Sequence, residues 1–265
     1  MDQENLIVQI TTKLEQHSEV GAAFLGGSHG RGESDALSDV DVYVVAVQPD
    51  QVQKMVTKLA DSVSDIAPIL NSKVLPNVRT INCITDKWQR FDLTVVTGVE
   101  LGFLASGQQV KPLFDNLGIS GAVLSTPPAL QKTSSGKFLE DVKEFIRILG
   151  LSVVVKKRDD LIVAQTGTNL MRDILIRTML IENEPQPQRG VLSLSQSLRP
   201  AQQAELQQLP AAEADWPAIE ERTRAIADAF FPRARLLSRR LNAKWPDEFE
   251  RVTRTYLIEE IGFEF

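Results

Sequence analysis

The sequence predicts two domains of different class: an α/β domain with a mixed sheet over residues 1–130 and an all-α helical domain over residues 131–265. Three observations carry this. Short apolar runs that alternate with polar residues, bounded by Gly, Pro and Asp, are confined to the first half. Apolar residues at helical spacing dominate the second half. Between the two, Asp115 to Gly136 is rich in Gly, Ser, Thr and Pro, the composition of a junction.

The elements follow in order. Leu6, Ile7, Ile10 and Leu14 recur near helical spacing, which predicts an amphipathic helix over residues 4–17. Ala22 to Leu25 reads as a short buried strand that stops at Gly26-Gly27, and Ser28 is placed to open a short helical segment. A second strand starts near Asp39 and runs through Val45. Pro49 and Asp50 start a helix of roughly residues 50–65, with Val52, Met55, Val56 and Leu59 on one face. Pro68 and Pro76 break up the next segment. Arg79 to Thr85 and Arg90 to Thr97 read as two strands joined by a turn. Farther on, Phe138, Leu139, Val142, Phe145, Ile146, Leu149 and Val153 mark a long helix that ends at a charged corner, Lys156 to Asp160. Leu161 to Ile181 is a second long helix. Residues 184–215 are rich in Pro and Gln and read as loop with a short helix; Trp216 to Leu241 and Glu248 to Ile261 read as the last helices.

Composition excludes several classes. With 265 residues and 43% hydrophobic residues, the chain is a folded protein with a sizeable core. A single cysteine, Cys83, excludes an intramolecular disulfide framework and points to a reducing compartment. Met1-Asp2-Gln3-Glu4 opens acidic, without a basic-plus-apolar leader, and no apolar run is long enough to span a bilayer. The expected location is cytoplasmic. A net charge of −6 and a pI near 5.1 argue against an extended nucleic-acid surface and suit a cationic small molecule.

One run carries chemistry. Residues 24–42 read Phe-Leu-Gly-Gly-Ser-His-Gly-Arg-Gly-Glu-Ser-Asp-Ala-Leu-Ser-Asp-Val-Asp-Val. Two glycines let backbone N–H groups approach a ligand closely, and Ser28 adds a hydroxyl at a helix start, a place that suits phosphate. Ten residues separate Ser28 from Asp39. Side chains alternate along a strand, so Asp39 and Asp41 share one face while Val40, Val42 and Val44 point into the core. Two adjacent carboxylates repel unless a cation lies between them, and oxygen-only ligands suit Mg²⁺. Asp92 sits in the apolar strand Phe91-Asp92-Leu93-Thr94-Val95, where an unpartnered charge is costly. If that strand lies beside the Asp39 strand, Asp92 completes a triad as metal ligand, as general base, or as both. Taken singly, each piece has a plainer reading: an ordinary turn, solvated acids, or an Asp92 salt-bridged to Arg90.

At this point the chain resembles the nucleotidyltransferase superfamily, whose pattern is an apolar residue, Gly, then Gly or Ser, a gap of about ten, and Asp-apolar-Asp/Glu-apolar. Arg31-Gly32 and Ser38 match the form of the run in the small-molecule branch, and the chain looks most like the antibiotic nucleotidyltransferases for aminoglycosides and lincosamides. Leu149 to Asp160 looks like the helix-turn-helix joint of the lincosamide enzymes' C-terminal domain. The resemblance implies that Gly27 and Ser28 hold nucleotide phosphates with Arg31 nearby, that Asp39 and Asp41 bind metal ions, and that Asp92 is the third carboxylate and candidate base. Lys157 falls where the family places a basic residue that reaches the triphosphate. Implied with it are ATP or another NTP as co-substrate, Mg²⁺, a small-molecule acceptor in a cleft between the domains, and a homodimer in several relatives. The rival readings are nucleotidylation of a protein hydroxyl and a non-catalytic nucleotide-binding module.

Overall fold

The computed structural model describes residues 3–107, 109–125, 132–185 and 191–265. Its first compact unit comprises α1 (Gln3–Glu15), β1 (Val20–Leu25), α2 (Gly27–Arg31), β2 (Val40–Ala46), α3 (Val52–Ser62), β3 (Ile69–Leu75), β4 (Thr80–Thr85), β5 (Arg90–Val96), α4 (Gly98–Gly107), β6 (Lys111–Asp115) and α5 (Ser120–Leu124). The strands form one sheet in the order β3-β4-β5-β2-β1-β6. Neighbours are antiparallel except β2 and β5, which run parallel.

Alternation decides which face holds the core. Val40, Val42 and Val44 of β2, Phe91, Leu93 and Val95 of β5, and Ile81 and Cys83 of β4 are buried together. Leu6, Ile10 and Leu14 of α1 and Val52, Met55, Val56 and Leu59 of α3 pack into the same cluster. Asp41, Tyr43, Asn82, Asp92 and Thr94 therefore fall on the opposite face. A smaller apolar cluster on that face joins Phe24, Val45 and Val96 to Leu101 of α4 and Val123 of α5. It involves the C-terminal ends of β2 and β5; the carboxylates stand at their N-terminal ends.

Several boundaries and elements differ from expectation. The first helix stops at Glu15. The helix expected over residues 50–65 is α3 flanked by single 3₁₀ turns, Pro49–Gln51 and Val63–Asp65. Strand β3 fills the segment between the two prolines. It is an edge strand with mostly exposed residues, so it carries no burial alternation to read. Strand β6 contains Pro112, tolerated because β6 forms the other edge.

The second unit is helical: α6 (Ser135–Lys157), α7 (Leu161–Glu182), α8 (Pro200–Gln208), α9 (Trp216–Arg240) and α10 (Asp247–Ile261), with a 3₁₀ segment Val191–Ser197. Phe145 of α6 stacks on Phe230 of α9 with centroids 3.8 Å apart at the centre of its core. The charged corner between α6 and α7 is a capped turn. The Asp160 carboxylate accepts the Val163 N–H at 3.0 Å, and Asp159, at φ +56°, accepts the Trp216 indole N–H at 2.7 Å. The boundary expected between residues 130 and 131 lies outside the described residues. No helix among the described residues is long and apolar enough to cross a membrane.

Candidate active site

The register of three strands builds the site. Asp41 of β2 is the parallel partner of Asp92 of β5, and Asp92 is the antiparallel partner of Asn82 of β4. Asn82, Asp92 and Asp41 thus form one row across the sheet, on the face away from the main core. Asp39 stands one residue before β2 begins, with its side chain 41% exposed.

The charges of these acids act on one another. The Asp41 carboxyl is pushed up to about 6, first by burial, then by the charges of Asp39 and Asp92; Arg31 and Arg90 oppose the rise. Asp92 is also raised, again chiefly by burial. A hydrogen bond from the Asn82 side chain pulls it down, Asp39 pushes it up, and Arg90 pulls it down. Arg90 does not form a close salt bridge with Asp92: its Nη2 donates to the Leu37 carbonyl at 2.8 Å, and its Nη1 lies 4.0 Å from Asp39 Oδ2.

The glycine turn leans on this row. The Gly26 N–H donates to the Asp41 carbonyl at 2.9 Å, tying the turn to β2. Gly27 has φ +52°, and a Cβ built on it would lie 1.9 Å from Asp41 Oδ2. Only glycine fits a backbone that close to a carboxylate in that conformation. The Ser28 hydroxyl oxygen is buried with no hydrogen-bond partner among the described residues, and so is Nε2 of His29. Burial lowers the His29 imidazole pKa, with Lys111 acting the same way and Asp39 opposing. Arg31 closes α2 with its side chain 10% exposed and its Nε 2.9 Å from Glu33 Oε2.

The structure thus brings Gly27, Ser28, Arg31, Asp39, Asp41 and Asp92 into one neighbourhood. Lys157 belongs to the second unit, at the end of α6, where its Nζ pairs with Glu260. Glu100 binds Arg79 at 2.6 Å and accepts the Thr97 N–H at 2.8 Å, a local structural task. Asn82 is the residue that sequence reasoning missed. Its signal is a polar side chain in the phase of Asp92 within Ile81-Asn82-Cys83.

The residues suit a hard cation and a phosphate. Two half-buried, mutually repelling carboxylates are an oxygen donor set that a cation would relieve, and the buried Ser28 hydroxyl lacks a partner among the described residues. Among the described residues no group of three His, Cys, Asp or Glu side chains stands ready to hold a metal ion. Mg²⁺ does not require one, since it is commonly bound by one or two carboxylates together with substrate phosphates and water.

No family model and no curated protein matches the sequence. Among solved structures, the chain is similar to a crystal structure of an aminoglycoside 6-adenyltransferase from Bacillus subtilis, at 13% identity. The match covers 96% of this chain and 95% of the other, with a TM-score of 0.46. A likeness of that degree carries no argument about activity.

Proposed function

We propose that this protein transfers a nucleoside monophosphate, AMP in the first instance, from a nucleoside triphosphate to a hydroxyl of a small molecule. The observation that carries this reading is the in-register pair Asp41 and Asp92, with Asp39 beside it and the Gly27 backbone seated against the Asp41 carboxylate. Gly27, the Ser28 hydroxyl and Arg31 receive the phosphates. Asp39 and Asp41, with Asp92 alongside, hold Mg²⁺, which when bound neutralises charge on the triphosphate. Asp92 takes the proton of the acceptor hydroxyl while that oxygen bonds to the α-phosphorus. The bond from the α-phosphorus to the bridging oxygen breaks, and pyrophosphate leaves with the electron pair. A carboxylate raised by burial is a stronger base than a solvated one, which suits Asp92 to the task.

For the acceptor we favour an aminoglycoside or lincosamide antibiotic, on the motif and on the acidic balance of the chain, −6 at pH 7. Lys157 is proposed as a further triphosphate contact, on the motif alone. The test is pyrophosphate release from ATP and Mg²⁺ across a panel of both antibiotic classes, with mass spectrometry of the products. A gain of one nucleoside monophosphate on a panel member supports the reading. Asp39→Asn and Asp41→Asn should each abolish turnover in folded protein; wild-type rates in either would overturn the metal-binding role.

A further inference from the structure

The row of acids continues one strand farther than the carboxylates do. Asn82 lies directly opposite Asp92 in the antiparallel β4–β5 pair, so their Cβ atoms are about 5 Å apart, within reach of a side-chain amide. Its flanking residues Ile81 and Cys83 are 0% and 1% exposed in the core, which fixes the phase of β4 and leaves Asn82 on the Asp92 face. Asparagine is disfavoured inside strands, and here it occupies a strand with a second strand on each side. The next row along is already closed on itself: Thr80 and Thr94 hydroxyls meet at 2.9 Å, and they are backbone partners. That pair locks β4 to β5 beside Asn82.

We propose that Asn82 is a positioning residue for the transfer step: its amide N–H holds one oxygen of Asp92 and leaves the other for the acceptor hydroxyl. The role rests on the nucleotidyl-transfer reading above and adds to it a neutral donor from a third strand. A neutral amide suits the place, because an acid there would extend the repulsion among Asp39, Asp41 and Asp92, and an apolar residue would leave the Asp92 carboxylate without its strand-borne donor. Partners of this kind commonly change activity by about 10- to 100-fold when removed.

The test is a cycle of wild type, Asn82→Leu, Asp92→Asn and the double variant, each first shown to unfold at the wild-type temperature. The assay is pyrophosphate release from ATP and Mg²⁺ with the most active panel acceptor. Asn82→Leu is expected to lower kcat about 10- to 100-fold while KM for ATP stays within about twofold. In the Asp92→Asn background the same substitution is expected to cost nothing further. A folded Asn82→Leu variant with kcat within about twofold of wild type overturns the role, and so does an equal proportional loss in both backgrounds. Should Asn82→Leu fail to fold, Asn82→Ala removes the donor without adding a charge and carries the same expectation. A wild-type protein that releases no pyrophosphate overturns the functional reading and this role with it. An active wild type with undiminished Asn82 variants overturns this role alone.

Discussion

Gly27→Ala, set against Gly32→Ala, tests the contact on which the site is built. Both glycines have positive φ, +52° and +70°, so an alanine at either pays a left-handed backbone cost of about 1–2 kcal/mol. The surroundings differ. A Cβ on Gly32 meets nothing within 4 Å, whereas one on Gly27 would lie 1.9 Å from Asp41 Oδ2 and 3.0 Å from its Cγ. Real Cβ contacts do not occur below 3.0 Å, so the turn and the carboxylate must separate by about 1 Å. The backbones of the turn and of β2 are held together, since β2 is laddered to β1 and β5 and the Gly26 N–H is bonded to the Asp41 carbonyl, so the Asp41 carboxylate is the part that must turn away. Overpacking of this kind adds about 1–3 kcal/mol. Gly27→Ala should therefore lower the free energy of unfolding by about 2–5 kcal/mol, against about 1–2 kcal/mol for Gly32→Ala, measured by urea unfolding. On the proposed metal-binding role of Asp41, displacing its carboxylate by about 1 Å should also cost about 100-fold in pyrophosphate release, with Gly32→Ala near wild type. A Gly27→Ala protein as stable and as active as Gly32→Ala would refute the reasoning.

Two further outcomes follow from the charges. Burial pushes the Asp41 carboxyl up to about 6 in the folded protein, above the 3.8 of an unperturbed aspartate, so the folded state binds its proton more tightly and stability is lost as pH rises through that window. Without Mg²⁺ and with chelator present, Asp41→Asn should gain about 2–3 kcal/mol at pH 8 and almost nothing near pH 4; urea unfolding at both values checks it, and a loss at pH 8 would contradict the electrostatics. Asp160→Ala removes the cap that accepts the Val163 N–H at 3.0 Å and should cost about 1 kcal/mol of stability. Its kinetics should be unchanged, and a raised KM for the acceptor would show that Asp160 does more than cap α7.

The helices were legible from apolar residues at helical spacing, and the strands β2 and β5 from burial that alternates. In β2 and β5 Val40, Val42, Val44, Phe91, Leu93 and Val95 take the core side and Asp41 and Asp92 the other, so each strand announces both its period and its polar exception. Strands β3 and β6 are edges and carry no such pattern. Asn82 was legible in phase but neutral, and a search for acids passes over it. The burial of Ser28 Oγ without a partner among the described residues depends on how α2 packs, which no local pattern reports.

The pairing of Asp41 with Asp92 is a different matter, because neither strand encodes it alone. The parallel register that sets Val40 on Phe91 and Val42 on Leu93 for the core also sets Asp41 on Asp92 outside it. A slip of one residue would turn Asp92 inward and Leu93 outward, at the cost of a buried charge and an exposed leucine. The core therefore holds the two acids opposite each other against their repulsion. Burial raises the Asp41 carboxyl first, and the charges of Asp39 and Asp92 add to the rise. A sheet gains nothing for its own stability from such a pair, so the apolar packing beneath supplies the energy that keeps the two acids together. On this account, enlarging or truncating Phe91 or Leu93 should disturb catalysis through the register, without any contact to substrate.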